Sequence, residues 1–183
     1  MDIIIKEQLA EDEHKPINID GSFTVDGVLV LSLQNNQITY TVQQVPPFEK
    51  SYADEVPEEI DEDDSDDSDD LERIVYLAIA GDRVVGQIKL KRNWNKYAYI
   101  EEILVDKQYR GLNIGKKLIQ QAIQWAKVGK MPGIMLETQN NNVAACKFYE
   151  SCGFVLGGFD AFVYKGLDQT NNEIALYWYL VFE

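Results

Sequence analysis

Residues 99–154 constrain what this chain can fold into more than any other segment. They read as a strand, a short turn, a helix, a second strand and a second helix. The predicted elements are a strand over 97–105, a turn over 110–115, a helix over Ile114–Val128, a strand over 133–138 and a helix over 142–151. Strands that alternate with helices in this way belong to a mixed α/β sheet with at least one parallel crossover.

Further strands precede and follow this segment. β-branched and aromatic residues predict strands over 3–5, 27–33, 38–42, 73–79, 84–90, 159–164 and 174–182. The turn Ala80-Gly81-Asp82 predicts a hairpin between two of them. We expect Pro46-Pro47 to end the strand that begins at residue 38, and residues 48–52 to begin a helix.

The size and composition of the chain favour one domain over residues 1–183. With 183 residues, of which 45% are hydrophobic, the chain can bury a sizeable core. No apolar run approaches the ~20 residues of a membrane span, and the N-terminus does not read as a secretory signal. Cys146 and Cys152 form neither a CxxC pair nor a zinc pattern. We therefore expect reduced thiols, a cytoplasmic location, no membrane partner and no metal.

Residues 54–70 form an acidic insert with 12 of the chain's 31 acidic residues and no Lys or Arg. The rest of the chain is nearly neutral, with 19 acidic against 17 basic residues. We interpret the insert as a solvated, disordered loop, with attraction of a polycationic substrate as the alternative. No basic patch stands out, which argues against a nucleic-acid partner. Residues 61–72 fit the ligand spacing of a calcium-binding EF-hand, but Asp66 stands where that loop requires glycine.

The turn over 110–115 has the composition of a phosphate-binding loop. It follows a predicted strand and opens a predicted helix, where backbone N–H groups gather and stabilise an anion. Gly111 and Gly115 let the backbone approach a ligand, and Arg110 and Lys116 add positive charge. The alternative is a plain structural turn, since glycine-containing turns often precede helices.

Two motifs in this region resemble those of the GCN5-related N-acetyltransferase (GNAT) family. They read RGxxxG at 110–115 and NxxAxxFYxxxGF at 142–154. The family's turn usually has glycine where this chain has Asn113, a residue that tolerates a left-handed backbone better than most. The resemblance implies an α/β fold with a mixed, mostly antiparallel, twisted sheet of six to seven strands flanked by helices. It also implies acetyl-CoA as the co-substrate.

The resemblance further implies which residues bind acetyl-CoA. The backbone of Leu104 and Val105 is expected to pair with the pantetheine arm. The amides expected to bind the pyrophosphate are those of Arg110, Gly111, Leu112, Asn113, Ile114, Gly115 and Lys116. Asn142 is a further cofactor-binding candidate, with a simple helix N-cap as the alternative.

Tyr149 matches the usual general acid of the family. When an amine attacks a thioester, a phenol with a pKa of ~10 is still protonated at neutral pH and can donate to the leaving sulfur. The alternative is an aromatic core residue. Glu101 is the candidate base or amine anchor, with Glu102 second, because adjacent strand residues point to opposite faces and only one can face a given cleft. An exposed strand carboxylate is the alternative.

Within the family, the chain resembles streptothricin acetyltransferases over most of its length. The segments that carry this resemblance are residues 50–52, 93–103, 135–139, 144–149 and 178–180. It implies acetylation of an amine on the cationic β-lysine moiety of streptothricin, which gives antibiotic resistance. Trp94, Tyr97, Tyr99 and Glu137 are the candidate substrate-binding residues, since aromatic rings and a carboxylate can bind a cation.

Three alternatives stay open at this point. The acceptor could instead be a polyamine or a protein lysine. The protein could also be a non-catalytic coenzyme A-binding protein, which only Asn113 favours, or an acidic interaction module without a cofactor. The last strand pair is apolar enough to permit a dimer, so the sequence is compatible with a monomer or a homodimer.

Overall fold

A computed structural model describes residues 2–9, 17–52 and 72–183. The acidic insert, and with it nearly all of the tested calcium-loop pattern, lies outside the described residues. In chain order the elements are β1 (Ile3–Glu7), β2 (Phe23–Gln34), β3 (Gln37–Lys50), β4 (Arg73–Ala80), β5 (Arg83–Arg92), β6 (Ala98–Val105), α1 (Ile114–Val128), β7 (Gly133–Gln139), α2 (Val143–Ser151), β8 (Val155–Asp160) and β9 (Ala175–Val181). Short 3₁₀ turns lie at Lys107–Tyr109 and Val163–Gly166.

The chain forms two compact units. The first comprises Met1–Ser22 and Ser51–Ala122, and the second comprises Phe23–Lys50 and Ile123–Glu183. The boundary falls inside α1, so this helix begins in the first unit and ends in the second. The prediction of one domain over residues 1–183 stays a prediction.

The first unit is an antiparallel sheet in the order β1-β4-β5-β6, followed by the start of α1. The predicted hairpin is present, with Ala80 opposite Arg83 and Gly81 at φ +60° in the turn. At Gly86 in β5, a Cβ would lie 3.2 Å from Ile114 Cγ2. Glycine therefore lets the first residue of α1 pack closely on the strand. Leu118 and Ala122 extend the same buried helix face, each at 0% exposure.

The second unit contains a sheet in the order β7-β9-β8, the separate hairpin β2–β3, and α2. Asn35 and Asn36 form the two-residue turn of the hairpin, at φ +50° and +61°. Positive φ at both positions is the pattern of a tight hairpin turn, and asparagine tolerates it. The core of this unit includes Trp178, Leu176 and Ile134, all nearly inaccessible to solvent.

Three predicted boundaries are wrong. β3 does not end at Pro46 but runs on to Lys50, so no helix begins at residue 48. The prolines are accommodated because the register shifts there: Val25 pairs with Phe48 and Gly27 with Gln44, so both prolines lie in an irregular, unpaired stretch. The strand predicted at 159–164 begins earlier, as β8, and residues 163–166 are a 3₁₀ turn.

The predicted fold class is confirmed. The first unit has four sheet strands, and the second has three in addition to the β2–β3 hairpin. Most of the strand pairs are antiparallel, and the chain has two α-helices in the described residues. Both cysteines are free thiols, as expected. Within the described residues, no helix is long and apolar enough to cross a membrane, and no group of metal-binding side chains is found.

Candidate functional site

An ion pair between a half-exposed arginine and a buried carboxylate lies at the turn that precedes α1. Asp106 Oδ2 accepts a hydrogen bond from Arg83 Nη2 at 2.7 Å, and its side chain is 1% exposed. The other carboxylate oxygen accepts from the backbone N–H of Gln108 at 3.0 Å. Arg83 also lies over the ring of Tyr109, 5.6 Å from its centroid. These contacts fix the chain between β6 and the loop at residues 110–115.

The loop at residues 110–115, the candidate phosphate cradle, has a left-handed backbone at two positions. Gly111 has φ +80°, and a Cβ there would meet no atom within 4 Å. Asn113 has φ +61°, so the residue that departs from the family motif adopts the left-handed conformation that its side chain tolerates. The departure from the family motif is therefore compatible with a phosphate-binding loop. Asn113, the only feature that favoured a non-catalytic protein, no longer argues for one.

The charges around the cradle fit a phosphorylated ligand. Arg110 Nε donates to Val105 O at 3.2 Å, which holds the arginine beside the end of β6. Lys116 is exposed in the first turn of α1, and that turn has no acidic residue. Open N–H groups at a helix start, with cations beside them, stabilise a pyrophosphate. Residues Arg110–Lys116 thus remain the candidates to hold acetyl-CoA, with Leu104 and Val105 on the preceding strand.

Both candidate carboxylates lie on one face of β6, contrary to the expectation that only one could face a given cleft. Lys89 pairs with Glu102, and the next pair is Leu90 with Ile100, so Glu101 is an extra residue in a β-bulge. The bulge breaks the usual alternation. Glu102 Oε1 lies 2.9 Å from Lys89 Nζ, and Glu101 Oε1 lies 2.7 Å from Lys91 Nζ. Because Lys89 and Lys91 are two apart on β5, they share a face, and so do their partners.

The three aromatic candidates for substrate binding in the first unit differ in position and in exposure to solvent. Tyr99 pairs with Lys91, whose Nζ lies 5.6 Å from the centroid of the tyrosine ring. Tyr99 therefore belongs to the same face as the carboxylates. Trp94 lies in the turn between β5 and β6 and is 84% exposed, and Tyr97, half-buried, ends that turn. The structure thus places Tyr99 on the carboxylate face and Trp94 and Tyr97 in the turn between β5 and β6.

In the second unit, Tyr149 lies on α2 with 5% of its surface exposed. Its ring packs edge-to-face against Phe148 and Phe154, with centroids 5.3 and 5.7 Å apart. Gly153 at φ +90° ends the helix, and Phe154 N donates to Tyr149 O at 3.1 Å, as a glycine C-cap requires. The ring is therefore rigidly held. This packing serves the core and also limits the orientations of the hydroxyl.

Four consecutive amide side chains, residues 139–142, begin at the last residue of β7 and are only 5–8% exposed. Asn142 is the N-cap of α2, since its Oδ1 accepts from Ala145 N at 3.1 Å. Its role towards acetyl-CoA stays a prediction. Asn140 bridges two segments, exchanging hydrogen bonds through its backbone and its side chain with both Leu29 and Ile174. The start of the helix that carries Tyr149 is thereby fixed.

Glu137 belongs to an acidic and aromatic cluster. Tyr164 Oη donates to Glu137 Oε1 at 2.6 Å, and Tyr177 on β9 lies opposite Glu137 in register. Burial, and then the charges of Glu137 and Asp160, raise the pKa of Tyr177. A carboxylate flanked by tyrosine rings is a suitable site for a cationic group.

Sequence reasoning missed several of these residues. Tyr164 was expected on a strand, and nothing in its spacing links it to Glu137. The strand predicted over 84–90 contains Lys89 but stops short of Lys91, and only the longer β5 gives the two lysines a shared face. Arg83 and Asp106 are 23 residues apart, and no motif connects them.

The chain matches the acetyltransferase (GNAT) family over residues 39–154. It is 38% identical to a streptothricin acetyltransferase of Escherichia coli, over 96% of this chain and 92% of that one. It is 36% identical to streptothricin acetyltransferase A of Bacillus subtilis (strain 168), over 94% of each chain.

Solved structures agree with these similarities. A provisionally assigned streptothricin acetyltransferase from Bacillus anthracis str. Ames, crystallised in complex with acetyl coenzyme A, has a TM-score of 0.87 and 52% identity over 99% of this chain and 100% of that one. A nourseothricin acetyltransferase has a TM-score of 0.77 and 25% identity over 98% of both chains. With its two motifs and these matches, the chain belongs to the GNAT acetyltransferase family.

Proposed function

We propose that this protein is an acetyl-CoA-dependent N-acetyltransferase that acetylates an amine of the β-lysine moiety of streptothricin and so confers resistance to the antibiotic. The observation that carries the substrate is the similarity to two streptothricin acetyltransferases over more than 90% of this chain and of each relative. The cradle at Arg110–Lys116 supports the donor. We also propose a cytoplasmic location, where acetyl-CoA is available.

The carboxylates on β6 support a cationic acceptor. An alkyl amine with a pKa near ~10.4 is protonated at neutral pH and must lose a proton before it attacks. Glu101, 30% exposed and re-aimed by the bulge, is the proposed anchor and base for that ammonium. Glu102 is the second candidate. It is also bound by Gln87 Nε2 at 2.5 Å, which holds it in place.

Acetyl-CoA, when bound, supplies an acetyl group activated as a thioester. Tyr149 is the proposed acid that protonates the leaving sulfur, and its packed ring orients the hydroxyl without a large entropic cost. Glu137, with Tyr164 and Tyr177, is the proposed site for a cationic group of the substrate. Tyr99 is the aromatic residue proposed beside Glu101.

A direct assay tests this proposal. Purified protein is mixed with acetyl-CoA and one acceptor, and the release of free thiol is followed. Streptothricin, spermidine and a lysine peptide serve as parallel acceptors. Rapid release with streptothricin alone is the expected result, and mass spectrometry of the product then locates the acetyl group. Release with spermidine or the peptide, but not with streptothricin, would discard the antibiotic as the substrate.

A further inference from the structure

The two lysines on β5 hold the two β6 carboxylates in different ways. Glu102 has two described partners, because Gln87 Nε2 and Lys89 Nζ both contact its Oε1, at 2.5 and 2.9 Å. Gln87 is itself only 6% exposed, so this arrangement is anchored in the core. Glu101 instead projects from the bulge, and its described partner is Lys91 at 2.7 Å.

The Lys91–Glu101 pair is accessible to a competing cation. The two side chains are 26% and 30% exposed, so water reaches both charged groups. An ion pair of this kind contributes little net free energy, because both partners remain partly hydrated. If Lys91 leaves Glu101, its ammonium can return to solvent or stay near the Tyr99 ring, which lies 5.6 Å from Nζ. Exchange for another ammonium therefore leaves no buried charge unpaired.

We propose that Lys91 is a specificity-determining residue whose ammonium occupies, in the free protein, the position at Glu101 that the acceptor's ammonium takes on binding. This inference rests on the proposed function, in which Glu101 anchors the acceptor. Replacement of one ammonium by another at the same carboxylate is nearly neutral in free energy. A simple monoamine therefore gains little from Glu101, whereas a polycation gains from its further contacts once it has displaced the lysine. Lys91 thus selects for acceptors that carry several positive charges.

Three variants test the proposal. Lys91→Met removes the competing cation and keeps the length of the side chain. It is expected to lower the KM for a cationic acceptor ~2- to 5-fold, the range of an exposed ion pair, while kcat changes little. Lys91→Arg restores the cation and is expected to return KM to the wild-type value or above it. Lys89→Met removes a cation from the Gln87-held carboxylate and is expected to leave the acceptor KM near that of the wild type.

A monoamine provides the second readout. In Lys91→Met, kcat/KM for n-butylamine is expected to rise relative to kcat/KM for streptothricin, because the selection against acceptors with a single charge is lost. A higher KM in Lys91→Met would overturn the proposal, since it would show that the lysine helps to bind the acceptor. Equal effects of Lys89→Met and Lys91→Met would also overturn it, because a general change in surface charge would then explain both.

The design separates this inference from the proposed substrate. Turnover of streptothricin by the wild-type protein tests the proposed substrate. The role of Lys91 is tested separately, by the ratio of the acceptor KM in the variant to that in the wild type, with whichever cationic amine the protein accepts. Calorimetric titration of that accepted amine into each variant, without acetyl-CoA, gives the ratio of the variant's affinity to that of the wild type without turnover. An unchanged affinity in Lys91→Met would count against the proposal in either case. Thermal melting of each variant checks that the fold is retained.

Discussion

Arg83 and Asp106 form an ion pair of 2.7 Å in which the carboxylate side chain is 1% exposed and the guanidinium side chain is 51% exposed. The pair joins the start of β5 to the turn after β6. The turn leads directly into the candidate cradle at residues 110–115. The ion pair, which no sequence motif predicts, therefore supports the backbone of a loop that a motif does predict.

Replacing Arg83 and replacing Asp106 should lower the free energy of unfolding by different amounts. Arg83→Met leaves the buried carboxylate without its cation, which is expected to cost about 2 kcal/mol of unfolding free energy. Asp106→Asn removes the buried charge itself and keeps an acceptor for Gln108 N, so its expected cost is smaller, about 1 kcal/mol. Urea unfolding of both variants measures the difference. Equal losses would show that the ion pair does not act as described.

The left-handed backbone at Asn113 gives a test of the cradle. Asn113→Gly is expected to keep the KM for acetyl-CoA near that of the wild type, because glycine adopts φ +61° freely. Asn113→Val requires a β-branched residue in that conformation, at a cost of about 1–2 kcal/mol. The loop then moves, and the KM for acetyl-CoA rises. Steady-state kinetics with varied acetyl-CoA separates the two variants, and a wild-type KM in Asn113→Val would contradict the assignment.

Tyr149→Phe tests the acid while preserving the packing of the ring against Phe148 and Phe154. Loss of the hydroxyl is expected to lower kcat by ~10²–10⁴-fold. Tyr40→Phe is the matched control: Tyr40 Oη bonds Glu150 and Lys147 on the same helix, at 2.6 and 2.7 Å, but has no proposed catalytic role. The control should keep wild-type turnover. Wild-type turnover in Tyr149→Phe would remove the acid role.

The bulge predicts different results for the two adjacent carboxylates. Glu101→Gln is expected to lower kcat/KM for the acceptor by ~10²-fold, because an amide neither anchors an ammonium nor accepts its proton. Glu102→Gln is expected to cost less, since Gln87 and Lys89 already engage that carboxylate. Kinetics with varied acceptor at fixed acetyl-CoA measures both. If the larger loss appears in Glu102→Gln, the two roles are reversed.

Cys146 should make stability depend on pH in the alkaline range. Burial raises the pKa of its thiol to about 11 from an ordinary value of 9.0. The folded state therefore favours the protonated thiol. The contribution of this thiol to the free energy of unfolding is unchanged below pH 9. It falls between pH 9 and 11, where the thiol loses its proton in the unfolded chain but keeps it in the folded one. The expected loss is about 2–3 kcal/mol.

Denaturant midpoints at pH 8, 9, 10 and 11 measure this loss. In Cys146→Ala the corresponding part of the pH dependence is expected to disappear. Cys152→Ala, at the half-buried C-cap of α2, should keep it. An identical alkaline slope in the wild type and in Cys146→Ala would show that other groups cause the change.

Much of the fold follows from local patterns. The start and end of α1 are predicted correctly because its apolar spacing and the glycine-rich turn before it are both local signals. Asn142 and Gly153, which cap α2, are local as well. β3 is different: two prolines indicate an end, but they are tolerated because the hairpin shifts register at that point. Only the partner strand reveals that.

The sequence by itself determined the family and supplied the candidates for the cradle and for acid–base chemistry, because each depends on short-range spacing along the chain. Tertiary structure decided which of those residues share a face. Strand alternation predicts opposite faces for Glu101 and Glu102, and the bulge against β5 places them together. The ion pairs with Lys89, Lys91 and Arg83 likewise depend on strand register. Register is set by pairing between distant segments, which is why no local pattern contains it.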